Sequence, residues 1–179
     1  MHQYFKFSES QLNRTDKENF NQLANEIGCD EKKFADLMDY LFNGNKREQQ
    51  MASYVLAHVF NKYPELIYPY ENDLIKALSD YKHIALKRVL LKIFQTVEVN
   101  EENEGILLEA AFDSLSGNEP IAVKVFAMTV IYQIGKKYPE ILHELKICIE
   151  DQLPYGSAGF QNRGMKILNA INKKEKRGS

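Results

Sequence analysis

Apolar residues recur at three- and four-residue intervals along most of this chain, which is the spacing of one face of an α-helix. The stretch from Phe34 to Phe42 shows the pattern, with a stripe that continues through Leu37, Met38 and Leu41. Short breaks rich in Gly, Asn or Pro separate successive stripes. The pattern predicts an all-α protein of roughly nine helices: 16–27, 30–42, 46–62, 64–79, 82–97, 101–115, 120–136, 139–152 and 157–171.

Two short phrases recur at a common period. Ile84-Ala85-Leu86-Lys87 returns 37 residues later as Ile121-Ala122-Val123-Lys124, and Lys62-Tyr63-Pro64-Glu65 returns after 75 residues as Lys137-Tyr138-Pro139-Glu140. A fixed period of this size indicates a helical repeat array. Each Tyr-Pro pair is interpreted as the end of one helix and the start of the next. We expect one repeat domain over 15–171 and a basic tail over 172–179. Residues 1–14 are expected to form an N-terminal arm, which is either loosely ordered or laid over the first helices.

A polar residue at the turn between paired helices is followed six or seven residues later by a base. Three such pairs are present: Asp80 with Lys87, Asn118 with Lys124, and Ser157 with Arg163. In this respect the chain resembles the HEAT-repeat family. The resemblance implies a right-handed α-solenoid of about four antiparallel helix pairs. It also implies that these bases bond turn oxygens and join repeat to repeat, in preference to contacting a ligand.

Charge is segregated between the two helices of each pair. In family terms the first, outer helices (30–43, 64–80, 101–116, 139–153) carry a net charge of −13, whereas the inner helices and last segment (45–62, 81–97, 118–138, 157–177) carry +13. Two interpretations stay open. The charges either solvate the two faces and form weak rim pairs, or they give the inner face an attraction for anions.

A turn of 100° per residue shows which inner-helix positions are left over after packing. On the helix over 82–97 these include Arg88, Lys92 and Gln95, and shifts of one repeat add positions on the two neighbouring inner helices. Aromatic rings beside Arg and Lys are typical of binding hot spots. The sequence therefore predicts one continuous partner-binding ridge: Tyr54, His58, Arg88, Lys92, Gln95, Thr129 and Tyr132.

The predicted helix over 120–136 is apolar on all sides, with Lys124 as its one charge between Ile121 and Ile134. Such a helix is either enclosed or presents an apolar surface to a partner. Because it lies mid-array, we expect enclosure, with Phe126 buried between repeats.

No signature of chemistry stands out. The four histidines fall in different elements, without metal-ligand spacing, and there is no phosphate-binding glycine loop. His58 is interpreted as a polar packing residue, and Cys148 as a core residue. Cys29 and Cys148 are expected to be far too distant to form a disulfide. We therefore expect no catalytic residue, cofactor or metal.

The longest run without an acid or base is thirteen residues, Gln49 to Asn61, which is too short to span a membrane. The start shows no secretory signal, so we expect a cytoplasmic protein.

Three function classes were weighed. The first is a non-catalytic scaffold that binds another protein on its inner face. The second is a nucleic-acid binder, related in fold to the HEAT-like glycosylases of alkylated bases. This chain has no Trp and no Asp on the ridge, so it lacks what that resemblance implies for catalysis. The third, an all-α lyase of the fumarase superfamily, is disfavoured because those chains are over twice as long. We favour the scaffold, and the sequence leaves its oligomeric state open.

Overall fold

The structure is a computed structural model that describes residues 3–80 and 84–178, with the backbone alone at residue 80 and over 175–178. The described residues form ten α-helices and no strand, which confirms the all-α class. The helices are α1 (Glu9–Leu12), α2 (Lys17–Ile27), α3 (Glu31–Asn43), α4 (Lys46–Phe60), α5 (Glu71–Asp80), α6 (Ile84–Phe94), α7 (Glu101–Ser116), α8 (Ile121–Gly135), α9 (Pro139–Gln152) and α10 (Ala158–Gly178). Short 3₁₀ segments, Pro64–Tyr70 and Leu153–Tyr155, precede α5 and α10.

The chain divides into two compact units, Met1–Ile93 and Phe94–Ser179. In the first unit α4 packs against both α2 and α3. In the second unit α8 packs against α7, α9 and α10. Each unit buries its own apolar stripes, so each has its own core. The single domain predicted over 15–171, the right-handed course of the array and a continuous ridge stay predictions.

Side-chain caps and prolines set the helix ends where the sequence predicts them. Asp16, Asp30 and Asn45 each accept backbone N–H groups of the helix that follows. Gly28, at φ 58°, ends α2 in a conformation that costs a residue with a Cβ more than it costs glycine. Pro139 opens α9 at a position where its missing N–H breaks no helical bond.

The repeat period reappears as a set of hydrogen bonds between residues 33 to 38 positions apart. Three of them lie in the first unit, and the others lie in the second unit. The pairs are the Leu12 carbonyl with Arg47, Asn21 with His58, Asn25 with Lys62, Glu104 with both Lys137 and Tyr138, Thr129 with Arg163, and the Lys136 carbonyl with Lys174. Side chains therefore join equivalent positions of successive repeats.

The N-terminal residues are ordered against the first unit. The backbone N–H groups of Tyr4 and Phe5 donate to Asp36 Oδ2 at 2.6 and 2.8 Å, and the Phe5 side chain is buried. The rings of Phe5 and Phe7 both lie against Tyr40. Residues 3–14 are therefore laid over the first helices and are not a loosely ordered arm.

Four elements differ from the sequence-based prediction by more than two residues. Helix α6 ends at Phe94, before its predicted end at residue 97. The one-turn helix α1 was missed, although Ser8 and Gln11 form a capping box there. Residues 64–70 are 3₁₀ and not α, because Pro69 has no N–H to continue an α-helical ladder. Helix α10 runs to Gly178, beyond the predicted end at residue 171. The predicted start of the fifth helix at Lys82 lies outside the described residues.

Helix α8 is enclosed along much of its length, with Val123, Val130 and Ile131 fully buried. Phe126, however, is only half-buried, so its predicted enclosure is wrong. An apolar pattern on every side of a helix does not tell which apolar residue stays at the surface. Cys148 on α9 is likewise half-buried and not a core residue. Burial raises the pKa of its thiol, with smaller contributions from the charges of Glu144 and Asp151.

Candidate partner-binding surface

An aromatic cluster joins α2 to α4 in the first unit. The ring centroid of Phe20 lies 5.1 Å from that of Tyr54 and 5.6 Å from that of His58. Tyr54 and His58 share one face of α4 because they are four residues apart. All three rings are half-buried, so one side of the cluster packs and the other faces solvent.

His58 is fixed by a hydrogen bond and surrounded by positive charge. Its Nδ1 lies 2.8 Å from Asn21 Oδ1, and since that oxygen only accepts, the histidine Nδ1–H donates. Burial lowers the pKa of His58, and the charges of Lys92, Lys17 and Lys62 lower it further. The imidazole is therefore held towards its neutral form, which fits the predicted polar packing role.

Arg88 and Lys92 lie one turn apart on α6, and both side chains are exposed. The shift of 34 residues that relates Phe20 to Tyr54 also relates Tyr54 to Arg88, so the repeat pattern assigns this face of α6 to the side of the aromatic cluster. The charge of Lys92 is also among those that lower the pKa of His58, which agrees with that assignment. Lys17, Arg88 and Lys92 have no ion pair with any described residue. We name this set the aromatic–basic surface; it comprises Lys17, Phe20, Tyr54, His58, Arg88 and Lys92.

Three predicted ridge residues lie in the second unit. Gln95 follows α6 and is half-buried, and Tyr132 on α8 is half-buried with Lys136 Nζ 5.2 Å from its ring centroid. Thr129 is only 7% exposed. Its hydroxyl donates to the Val125 carbonyl at 2.8 Å and accepts from Arg163 Nη1 at 3.3 Å. Thr129 therefore takes part in packing between α8 and α10, and little of it is open to a partner.

A HEAT repeat domain family model matches residues 7–171, nearly the whole chain. The chain belongs to the HEAT-repeat family. The predicted all-α, HEAT-like solenoid class is therefore confirmed. Comparison with curated proteins and with solved structures gave no match.

Two of the three bases that the HEAT resemblance singles out, Lys124 and Arg163, do join elements, although not through turn oxygens. The third predicted pair, Asp80 with Lys87, is not tested because the Asp80 side chain lies outside the described residues. Lys124 Nζ donates to Gln152 Oε1 at 2.7 Å, which ties α8 to the end of α9. Arg163 on α10 donates to Thr129 on α8. Both therefore connect helices, as the resemblance implies, but their acceptors are an amide and a hydroxyl on neighbouring helices.

A carboxylate cluster in the second unit of this HEAT domain was missed. Glu104, 4% exposed, accepts from Lys137 Nζ at 2.6 Å and from the Tyr138 hydroxyl at 2.9 Å. The hydrogen bond to Glu104 is the main cause that raises the pKa of both Lys137 and Tyr138. The signal that could have found it is the repeated Lys-Tyr-Pro-Glu phrase, which carries the two donors.

Besides a smaller pocket of about 310 Å³ beside Glu101 and Tyr138, two larger surface pockets lie in the second unit. One, of about 420 Å³, adjoins the Glu104 cluster and is also lined by Gln95, Glu98 and Gln133. The other, of about 370 Å³, lies between the start of α8 and the start of α10, beside Tyr155, which is 92% exposed.

Among the described residues, no three His, Cys, Asp or Glu side chains come together as a metal site. No helix of the described chain is long and apolar enough to cross a membrane.

Phe20 is the main contributor to the aromatic–basic surface that the sequence-based ridge lacks. It lies 34 residues before Tyr54, and the same shift relates Tyr54 to Arg88. One further application of the repeat shift therefore predicts Phe20. The predicted ridge comprises positions on three inner helices only, and Phe20 lies on the helix that precedes them.

Proposed function

We propose that this chain is a non-catalytic protein-interaction scaffold that binds its partner on the aromatic–basic surface. HEAT repeats commonly mediate protein interactions. The observation that carries the choice of surface is the half-exposed cluster of Phe20, Tyr54 and His58. The charges that act on His58 are those of lysines, and two of these, Lys17 and Lys92, have no ion pair with any described residue. Exposed aromatic and basic side chains in one patch are the residue types that contribute most at protein interfaces.

The polar groups around this surface support a binding role over a catalytic one. His58 is hydrogen-bonded to an amide, Asn21, and its lowered pKa favours the neutral imidazole. Among the described residues no carboxylate is hydrogen-bonded to His58 to orient it as a base. The side chain of Lys62 donates to Asn25 on α2. These contacts fix α2 against α4 and leave the rings and the α6 cations for a partner.

A cytoplasmic location is part of the proposal. Cys29 and Cys148 are both free thiols in the described chain, and Cys29 is exposed. Exposed free thiols are typical of reducing compartments.

A nucleic acid is the second candidate partner, favoured by the net charge of +13 on the inner helices and the last segment. The chain as a whole carries a net charge of −2, whereas nucleic-acid-binding domains usually carry a strong positive excess. The protein partner is therefore the first choice.

Site-specific photo-crosslinking in the producing cells tests the proposed surface. A photoreactive phenylalanine analogue replaces Tyr54 in the full chain, and the matched control replaces Tyr68, an exposed tyrosine on the 3₁₀ segment before α5. We expect a discrete cross-linked protein at position 54 only, and its loss when Arg88→Glu/Lys92→Glu is added. Equal cross-linking from position 68, or a cross-link that survives the double charge reversal, would overturn the proposal.

A further inference from the structure

We infer that the aromatic–basic surface takes a short, extended, acidic peptide segment that also carries an apolar side chain. This inference rests on the proposed function and names the chemistry of the partner. Three features carry it: the cations that have no ion pair with a described residue, the aromatic cluster, and the repeat relationship that assigns both to successive helices.

The positive charge is not balanced locally. Lys17 on α2 and Arg88 and Lys92 on α6 have no ion pair among the described residues. The charges that act on His58 in the middle of the surface are all lysines. The polar side chains of α2 that face α4 here are the amides Asn21 and Asn25. Carboxylates of a partner would therefore meet cations without first displacing an acid.

The aromatic cluster favours a partner that carries an apolar side chain beside its carboxylates. Phe20 and Tyr54 have rings 5.1 Å apart and tilted by 39°, so each already covers part of the other. The half-exposed remainder is an apolar strip between the lysine of α2 and the cations of α6. An aliphatic or aromatic side chain of a partner would bury this strip, which supplies the non-electrostatic part of the affinity.

The dimensions fit a short extended chain. Because a shift of 34 residues relates Phe20, Tyr54 and Arg88, the surface follows the repeats from α2, over α4, to α6. Neighbouring helices lie about 8–10 Å apart, so the path is roughly 16–20 Å. An extended chain covers at most about 3.3–3.6 Å per residue, which gives roughly five or six residues.

The same geometry disfavours single-stranded nucleic acid. Base stacking needs an open ring face, whereas Phe20, Tyr54 and His58 are tilted against one another and half-buried. The acidic outer helices of the chain also oppose a long polyphosphate. Nucleic acid is therefore an outcome of the test and not the inferred ligand.

The probes are three fluorescent ligands added to the purified full chain: the hexapeptide Glu-Glu-Phe-Glu-Glu-Leu, its analogue with every Glu changed to Gln, and a deoxythymidine octamer. Binding is measured by fluorescence anisotropy at two salt concentrations. We expect the acidic peptide to bind at least ten times more tightly than the Gln analogue, and to weaken as salt rises.

Two double charge reversals locate the site. Arg88→Glu/Lys92→Glu should weaken the acidic peptide at least tenfold, whereas Lys46→Glu/Lys76→Glu, with the same change of net charge at exposed positions of the same unit, should change binding less than threefold. Circular dichroism of each variant checks that it is folded. Equal weakening by both reversals, equal affinity for the Gln analogue, or tighter binding of the octamer would each overturn the inference. If the acidic peptide does not bind but Arg88→Glu/Lys92→Glu still abolishes the cross-link from position 54, the inferred acidic ligand is wrong. The surface proposed under the protein-interaction function is then still supported.

Discussion

The ammonium nitrogen of Lys137 lies 2.6 Å from Oε1 of Glu104, 33 residues earlier in the chain. Tyr138, the next residue, donates its hydroxyl to the other oxygen of the same carboxylate at 2.9 Å. The cluster ties the end of α8 to the first turn of α7. A turn phrase that repeats in the sequence thus holds one repeat to the previous one.

Glu104 should stabilise the second unit because it is a buried carboxylate with two donors. We expect Glu104→Ala to lower the free energy of unfolding by about 1–3 kcal/mol, as measured by urea denaturation. Glu109→Ala, at an exposed position of the same helix, is the control and should change it by about 0.5 kcal/mol or less. Equal values for the two variants would mean that the cluster contributes nothing.

The same cluster should give the fold an alkaline limit. The pKa values of Lys137 and Tyr138 are raised above their ordinary 10.5 and 10.0, chiefly by hydrogen bonds to Glu104. A raised folded pKa gives stability that is fully present below the unfolded pKa and is lost as the pH rises through the folded pKa. We therefore expect the stability difference between the native chain and Glu104→Gln to be constant from about pH 7 to 9 and to shrink above about pH 10. Urea denaturation at a series of pH values measures it, and a difference that stays constant up to about pH 11 would contradict the assignment.

Helix α8 offers a matched pair of isoleucines that tests its enclosure. Ile131 is 0% exposed and Ile121 is 51% exposed. Ile131→Ala should cost about 2–5 kcal/mol of unfolding free energy through lost burial and the cavity left behind. Ile121→Ala should cost about 1 kcal/mol or less. If the two variants unfold at the same urea concentration, Ile131 is not in the core.

The repeat architecture is readable from the sequence because it depends on local signals. Asp16, Asp30 and Pro139 end or begin helices through interactions within a few residues, and these are in place in the structure. The order of the N-terminal segment was not predictable in the same way, because it depends on Asp36, more than thirty residues away.

The candidate site was predictable only for residues whose relative positions depend on a single helix. The 100° rule places Tyr54 and His58 together on α4, and the structure agrees. Thr129 falls on the corresponding side of α8, yet Arg163 from α10 reaches its hydroxyl and the residue is buried. A helix's own pattern does not reveal which neighbouring helix covers it, and that information comes only from packing.

His58 should make the first unit sensitive to mild acid. Its pKa is lowered by burial and by nearby lysines, so the folded state binds a proton less readily than the unfolded state. A lowered folded pKa gives stability that is present above the ordinary value of 6.5 and is lost as the pH falls through the folded pKa. We expect the native chain to lose more stability than His58→Gln between about pH 7 and 5. His143→Gln, at an exposed position, should keep the native pH dependence; if it behaves like His58→Gln, the acid sensitivity does not come from His58.

The titration of His58 also tests whether α6 lies beside the aromatic cluster. After burial, the charge of Lys92 is the largest contribution that lowers the pKa of this histidine. Lys92→Glu replaces a nearby cation by an anion, so the protonated imidazole gains an attraction in place of a repulsion and the pKa should rise. Lys76→Glu makes the same change of net charge on exposed α5, away from the charges that act on His58, and should move the pKa much less. The pKa is read from the histidine ring signals in NMR spectra recorded across pH, with His58 assigned by the signal that His58→Gln removes. Equal pKa values of His58 in the two charge-reversed variants would mean that Lys92 does not lie close to His58. The aromatic–basic surface would then comprise residues of α2 and α4 only.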